Sequence, residues 1–304
     1  MLDRFRSDPG AFAPLVLLLA ILAGGSAAIL IRWSHAPTAT QVFYRLLFTT
    51  AAVAPVALLR HRDALRAISG RDLLVSAVTG VILGGHFLVF FRSVDWTTVA
   101  AATTLTQLHA AIVPLGAYAL LDERVSRRML SGLTVAFAGV ALLSTGGVFV
   151  SSLLGGPRPL LGNAFAVLAA IGFAAYTLAG RSVRQRLPLF PYVTVVYAMA
   201  TLAVGVFAAG TGTPVFRPYP AREWLIFLGL AAGPGLLTHT GFNWSLEHVD
   251  ASVGSAAMLG TPVVSTLLAA LLLDEVPSVV TLAGAGVALA GVYFVATGVP
   301  GDNA

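Results

Sequence analysis

The sequence predicts an all-α polytopic membrane protein with ten transmembrane helices, arranged as two inverted five-helix repeats. Three observations lead to this prediction. Of the 304 residues, 57% are hydrophobic and only 10% are charged, whereas a soluble domain carries about 25% charged residues. Ten apolar stretches are long enough to cross a bilayer, which takes about 20 residues. The two halves of the chain also match each other at a fixed spacing.

The ten apolar stretches, called spans 1 to 10 below, are separated by short links that leave no room for a soluble domain. They are Pro14–Ile31, Val42–Leu59, Leu73–Phe91, Thr98–Leu121, Met129–Val150, Leu161–Leu178, Tyr192–Ala209, Trp224–Leu246, Ala251–Leu273 and Val279–Val299. Span 1 follows two arginines and contains small residues, as a signal peptide does, but its apolar run continues past them. We therefore interpret span 1 as an uncleaved first helix.

The arginines in the links predict the orientation of the spans, because cytoplasmic links carry an excess of positive charge. All 18 basic residues are Arg. Twelve lie at the N-terminus and in the links after spans 2, 4, 6 and 8, and five lie on the opposite side: Arg32, Arg92, Arg158, Arg217 and Arg222. We therefore expect a multi-pass protein of the inner (plasma) membrane with both termini in the cytoplasm. No run of basic residues offers a nucleic-acid surface.

An internal repeat relates the two halves. Leu115–Gly146 and Leu267–Gly298 are identical at 16 of 32 positions, and the clearest block is Leu-Leu-Asp-Glu. Each half holds five spans, and because five is odd, the halves must insert in opposite orientations. Inverted repeats are a recurring plan of transporters, since exchanging the conformations of the halves opens one structure to either side. We place the halves at residues 1–150 and 151–304.

Several local patterns add a family resemblance over nearly the whole chain. They are Phe43-Tyr44-Arg45 at the opening of span 2, the acidic pairs Asp122-Glu123 and Asp274-Glu275 at the ends of spans 4 and 9, and the stretches His239–Leu246 and Leu259–Pro262. In these patterns the chain resembles the EamA-type ten-helix members of the drug/metabolite transporter (DMT) superfamily. Relatives often have Glu before the span 9 proline, where this chain has Thr261. The resemblance implies a secondary transporter or exporter of small metabolites.

Ionisable residues inside a membrane are costly and usually functional. No Asp or Glu falls in the middle of a span. Exporters of multiple drugs with four helices resemble these repeats but rely on a Glu in their first helix, which span 1 lacks. We therefore disfavour a mechanism in which a carboxylate exchanges protons for cationic drugs.

Three histidines, His86, His109 and His239, fall near the middle of spans 3, 4 and 8. Because His86 and His239 match across the repeat within one residue, we expect them to face one central cavity. Asn243 lies one turn from His239 on the same helical face. The alternative for each histidine is a neutral imidazole that ties neighbouring helices together.

Arg45 is the only basic residue within a span. It is either an anchor for a carboxylate or phosphate, or a residue whose guanidinium reaches outward to the interface. Further candidates for substrate binding, each with helix packing as its alternative, are Tyr44, Gln107, Tyr176 and Trp244. Pro114 and Pro262 interrupt spans 4 and 9, and each removes a helical donor and so frees a backbone carbonyl.

Amino acids are the first expected substrates, because a zwitterion needs hydrogen bonds and only modest charge complementarity. The alternatives are a nucleotide-sugar or sugar-phosphate antiporter and a multidrug exporter; a single Arg within the spans argues against phosphate exchange. The sequence lacks His-Glu-x-x-His and Gly-x-Ser-x-Gly motifs, and it lacks Cys. We therefore expect no enzyme, cofactor or metal site. The expected partners are a small-molecule substrate and the lipid bilayer, with the protein as a monomer or homodimer.

Overall fold

The structure, a computed structural model, describes residues 12–121, 126–150, 156–184, 186–238 and 258–297. These ranges contain helices joined by short links and no strand, which confirms the predicted all-α membrane fold. Within them, five helices are long and apolar enough to cross a membrane: Pro14–Trp33, Thr38–Arg60, Gly70–Trp96, Pro159–Gly180 and Leu189–Gly210. Three shorter apolar helices are Val99–Val113, Gly260–Leu272 and Val279–Phe294.

The helices are numbered so that each number is that of its span. They are α1a (Ala13–Gly25), α1b (Ala27–Trp33), α2 (Thr38–Arg60), α3 (Gly70–Trp96), α4a (Val99–Thr106), α4b (His109–Leu121), α5 (Arg127–Val150), α6 (Pro159–Arg184), α7 (Leu189–Gly210), α8 (Ala221–Leu230), α9 (Gly260–Leu272) and α10 (Val279–Thr297). A π-helix, Ala231–Leu237, continues α8, and a short helix, Arg62–Arg66, precedes α3. Every predicted span thus contains a described helix.

Hydroxyl caps fix where two of these helices begin. The backbone N–H of Asp72 donates to Ser69 Oγ at 3.1 Å at the start of α3. The N–H of Ala101 donates to Thr98 Oγ1 at 3.1 Å at the start of α4a. Each cap satisfies one of the N–H groups that a helix start leaves without a partner.

The two halves are interlaced rather than side by side. In the bundle, α3 packs against α6 and α7, and α2 packs against α7. The reciprocal contacts are made by α1a, which packs against α9 and the π-helix, and by α6, which packs against both parts of α4. The core therefore lies between the repeats, where each half supplies the neighbours of the other.

Small residues bring α5 and α10 together. A β-carbon on Gly139 would collide with the backbone of Ala288, and one on Gly291 would collide with the backbone of Ala136. These two contacts are related by the repeat spacing of 152 residues. Close backbone approach at small residues is a general basis of helix association in membranes.

A buried carboxylate crosses between the halves at each end of the bundle. At one end, called the Asp72 end, Asp72 Oδ1 accepts from Arg186 Nη2 at 2.6 Å. The other end also holds Glu275, which lies near Arg32, and is called the Glu275 end. There Glu223 accepts from Ser34 Oγ at 2.5 Å and from the His35 N–H at 2.8 Å. Each carboxylate lies near the start of the third span of its half. It accepts a hydrogen bond from a residue in the link that follows the first span of the other half.

Candidate functional site

Both α4 and the start of α9 are interrupted at corresponding positions. Gln107, with φ −66° and ψ −12°, separates α4a from α4b. Leu259, with φ −65° and ψ −13°, forms a turn just before α9. Leu259 lies in the helical turn before Pro262, which a proline disturbs, whereas Gln107 lies about two turns before Pro114. The sequence predicts interruptions at Pro114 and Pro262, and the structure has a break at Gln107 and a turn at Leu259.

A hydrogen bond joins the two interruptions. Pro262 has no N–H, so the Met258 carbonyl, four residues earlier, lacks its helical donor. The side-chain Nε2 of Gln107 donates to that carbonyl at 3.0 Å. A group from the first half thus satisfies a carbonyl that a proline of the second half has freed.

His109 follows the interruption in α4. Its Nδ1 lies 2.9 Å from the Thr106 carbonyl, and because a carbonyl only accepts, Nδ1 carries the proton. The ring also lies edge-on to Phe173 of α6, with 4.6 Å between centroids. The imidazole therefore contacts both its own half, at Thr106, and the opposite half, at Phe173. Its other ring nitrogen, Nε2, is the second polar atom of the side chain.

His86 links α3 to α6. Its side chain is buried, and its Nδ1–H donates to the Ala169 carbonyl at 2.8 Å. Gly172 permits this approach, since a β-carbon there would lie only 3.3 Å from His86 Cβ. The imidazole is also 5.2 Å from the centroid of Phe173.

Phe173 brings three of the predicted site residues together. Its ring contacts His86 and His109, and it lies 5.4 Å from the ring of Tyr176. The sequence does not single out Phe173, because a phenylalanine in an apolar span carries no signal of its neighbours. We call Phe173, His86, His109 and Tyr176 the Phe173 cluster.

Arg45 lies inside the bundle, with 4% of its surface exposed. Its guanidinium carbon is 4.1 Å from the centre of the Phe87 ring and 5.6 Å from that of Phe91. Arg45 also interacts electrostatically with Tyr197 of α7. It is the eighth residue of α2, which puts its Cα about 10 Å from the start of that helix.

Tyr44 contacts residues that do not belong to the Phe173 cluster. Its hydroxyl donates to the Val215 carbonyl at 3.2 Å, and its ring stacks on Phe227 at 5.0 Å. This geometry is that of packing, the alternative considered for Tyr44. The other candidates His239, Asn243 and Trp244, and the pair Asp122-Glu123, lie outside the described residues. No group of three His, Asp or Glu side chains within the described residues could hold a metal ion.

Glu275 joins three spans at its end of the bundle. Its Oε1 accepts from the Val99 N–H at 3.0 Å and lies 3.7 Å from Arg32 Nη2. Arg32 Nη2 also donates to the Thr97 carbonyl at 2.7 Å. Burial raises the pKa of the Glu275 carboxyl above its ordinary value, while Arg32 and the Val99 N–H oppose that rise. This junction ties α1b and the start of α4a to the end of α9.

Comparisons with known proteins agree with this architecture. A profile described as the EamA-like transporter family matches residues 11–145 and again residues 160–297. An uncharacterized transporter of Archaeoglobus fulgidus is 25% identical over 288 residues, covering 92% of this chain and 95% of the relative. One of Clostridium kluyveri is 22% identical over 209 residues, covering 68% of this chain and 67% of the relative. A crystal structure of a protein with 21% identity aligns over 93% of this chain and 96% of its own, with a TM-score of 0.62, and so shares the fold.

Proposed function

This chain belongs to the EamA-like transporter family, and we propose that it carries small metabolites, amino acids first among them, across the membrane by alternating access. As a multi-pass membrane transporter it has two repeats, which we place at residues 1–150 and 151–304. The arginine split between the links supports an orientation with both termini in the cytoplasm. The Glu275 end then faces outward and the Asp72 end inward.

The observation that carries the proposal is the contact between the two interrupted spans. Transporters commonly build their substrate sites from interrupted helices at corresponding positions of the two repeats. In this chain the Gln107 amide of one half donates to the Met258 carbonyl of the other. Movement of the halves relative to each other would break this bond and leave both groups available to a substrate.

The Phe173 cluster supports a binding surface beside this contact. His86, His109 and Tyr176 surround Phe173 with polar atoms on an otherwise aromatic surface. Such a surface suits a molecule that has hydrogen-bonding groups at one end and an apolar body at the other. We propose that His239, Asn243 and Trp244 complete the opposite wall, as the repeat relation of His86 and His239 suggests.

Counterflow in proteoliposomes tests the proposal. The full-length protein would be reconstituted, loaded with one unlabelled amino acid at a time and assayed for uptake of the labelled form. We expect saturable counterflow for a subset of amino acids, reduced in Gln107→Leu, which keeps the side-chain size but removes the donor. Vesicles without protein and the surface variant Asp63→Asn are the controls. Absence of counterflow for every amino acid, with the protein inserted and folded, would exclude amino acids as substrates.

A further inference from the structure

We propose that Arg45 binds a carboxylate of the transported molecule, so that a carboxylate is the chemical group this transporter requires. The inference rests on the proposed function and defines which molecules that site accepts. It predicts that amino acids and the corresponding hydroxy acids are carried, whereas amines without a carboxylate are rejected.

Arg45 is buried and has no anionic partner among the residues that the structure describes. Its guanidinium has five N–H donors, and among the described residues no atom accepts a hydrogen bond from it and no acid pairs with it. The contacts with Phe87 and Phe91 stabilise the guanidinium but supply it with no hydrogen-bond acceptor. A ligand that supplies an acceptor would satisfy the remaining donors.

Two other arginines show what a structural role looks like in this chain. Arg32 donates to the Thr97 carbonyl and lies 3.7 Å from Glu275. Arg186 makes two short contacts with the Asp72 carboxylate. Both have their acceptors within the protein, at the ends of the bundle, whereas Arg45 has none in the part of the chain that the structure describes.

The other half supplies a possible second donor, the hydroxyl of Tyr197. Tyr197 of α7 is buried and interacts electrostatically with Arg45, and its hydroxyl has no hydrogen-bond partner among the described residues. A carboxylate between the two would accept from α2 of the first half and α7 of the second. Binding would then depend on the relative position of the halves, as alternating access requires.

The position of Arg45 also relates the carboxylate to the rest of the substrate. Phe87 lies under the guanidinium, and its ring is 4.8 Å from the ring of His86. A molecule held at Arg45 could therefore extend along Phe87 to the Phe173 cluster. The carboxylate would then lie at one end of the site, at Arg45, and the rest of the molecule at the other end, at the Phe173 cluster.

The charge favours carboxylate over phosphate. The fork of an Arg side chain matches the two oxygens of a carboxylate. A phosphate dianion bound to a single cation would leave one negative charge uncompensated. The chain contains no Lys, and Arg45 is the only basic residue within the predicted spans.

The test compares three molecules with the same side chain: an amino acid that shows counterflow, its decarboxylated amine, and the corresponding 2-hydroxy acid. We expect the unlabelled amino acid and hydroxy acid to compete for uptake in the wild-type protein and the amine to have no effect. In Arg45→Gln the apparent affinity for the amino acid should fall at least tenfold, with partial recovery in Arg45→Lys. The matched control is Arg217→Gln, because Arg217 also lies over a ring, that of Tyr219, but is exposed.

The outcomes separate the inference from the proposed function. Equal competition by the amine, or unchanged affinity in Arg45→Gln, would overturn the role of Arg45 while leaving amino-acid transport in place. Counterflow of no compound would instead contradict the proposed function. Strong competition by inorganic phosphate that is lost in Arg45→Gln would assign Arg45 to phosphate and overturn the carboxylate. If Arg45→Gln fails to insert, Arg45→Lys tests the side chain, and competition by the amine in the wild-type protein would still overturn the carboxylate requirement.

Discussion

Asp72 and Glu223 occupy equivalent places in the two halves, 151 positions apart in the sequence. Both are buried carboxylates near the start of the third span of their half. Each accepts a hydrogen bond from the link that follows the first span of the opposite half. Because both contacts exist in the same structure, at opposite ends of the bundle, we interpret them as parts of the frame that joins the halves.

The first prediction concerns this frame. Asp72→Asn should lower the unfolding temperature of the purified protein in detergent, because it removes the charge that Arg186 contacts at 2.6 Å. Arg186→Gln should have a similar effect, and the double variant should be little worse than either, since the two side chains act as one unit. Thermal unfolding followed by size-exclusion chromatography measures this. If the decreases in unfolding temperature of the two single variants add fully in the double variant, Asp72 and Arg186 do not act as a pair.

The second prediction follows from the raised pKa of Glu275. A carboxyl whose pKa is higher in the folded protein than in the unfolded chain binds its proton more tightly when folded. Stability therefore rises as the pH falls through this raised pKa, and the cost of the buried charge is present above it. Glu275→Gln should flatten the dependence of the unfolding temperature on pH between neutral pH and about pH 4.5.

Asp274→Asn is the matched control for Glu275. Asp274 is exposed, and its φ of 54° is one that Asn also tolerates. The Asp274→Asn variant should leave the pH dependence of the unfolding temperature and the transport rate largely unchanged. This agrees with the absence of an acidic residue in the middle of any predicted span. Complete loss of transport in this variant, with normal insertion, would contradict the expectation that no carboxylate is required.

The third prediction addresses the histidines. His86→Gln and His109→Gln should each weaken the apparent affinity for substrate by about 2–12-fold, equivalent to about 0.5–1.5 kcal/mol for one hydrogen bond. Initial uptake rates at matched levels of inserted protein give the affinities, and His61→Gln, in the link between spans 2 and 3, is the control. If affinity and pH dependence stay unchanged in the double variant, both histidines serve helix packing.

The fourth prediction is the orientation of the membrane spans. Since the chain has no Cys, single cysteines can be labelled without background. Cysteines at Gly70 and Gly210 should react from opposite sides, because these positions lie at opposite ends of the bundle and have open space for a side chain. Gly156 is unsuitable, since its φ is +84° and a β-carbon would crowd the Trp96 carbonyl. Labelling of both from one side would refute the inverted arrangement.

The spans and the repeat could be predicted from the sequence alone. The bilayer thickness sets the length of each apolar stretch, and the repeat shows as identical residues at a fixed spacing; both can be read along the chain. The sequence could not predict which spans touch. The outer face of a membrane helix is as apolar as its buried face, so hydrophobic periodicity does not point to the core. The contacts of Phe173 with His86 and His109, and that of Arg45 with Phe87, depend on helix packing and became visible only in three dimensions.

The contact of Gly139 and Gly291 with the opposing backbones has a practical consequence for measuring motion. Helices that meet backbone to backbone cannot slide without collision, so α5 and α10 should keep a constant separation while the other helices rearrange. Spin labels at the exposed Phe137 of α5 and Phe294 of α10 would then provide a fixed internal ruler. Distances from either label to α3 or α9 would report the transport cycle in a common frame of reference.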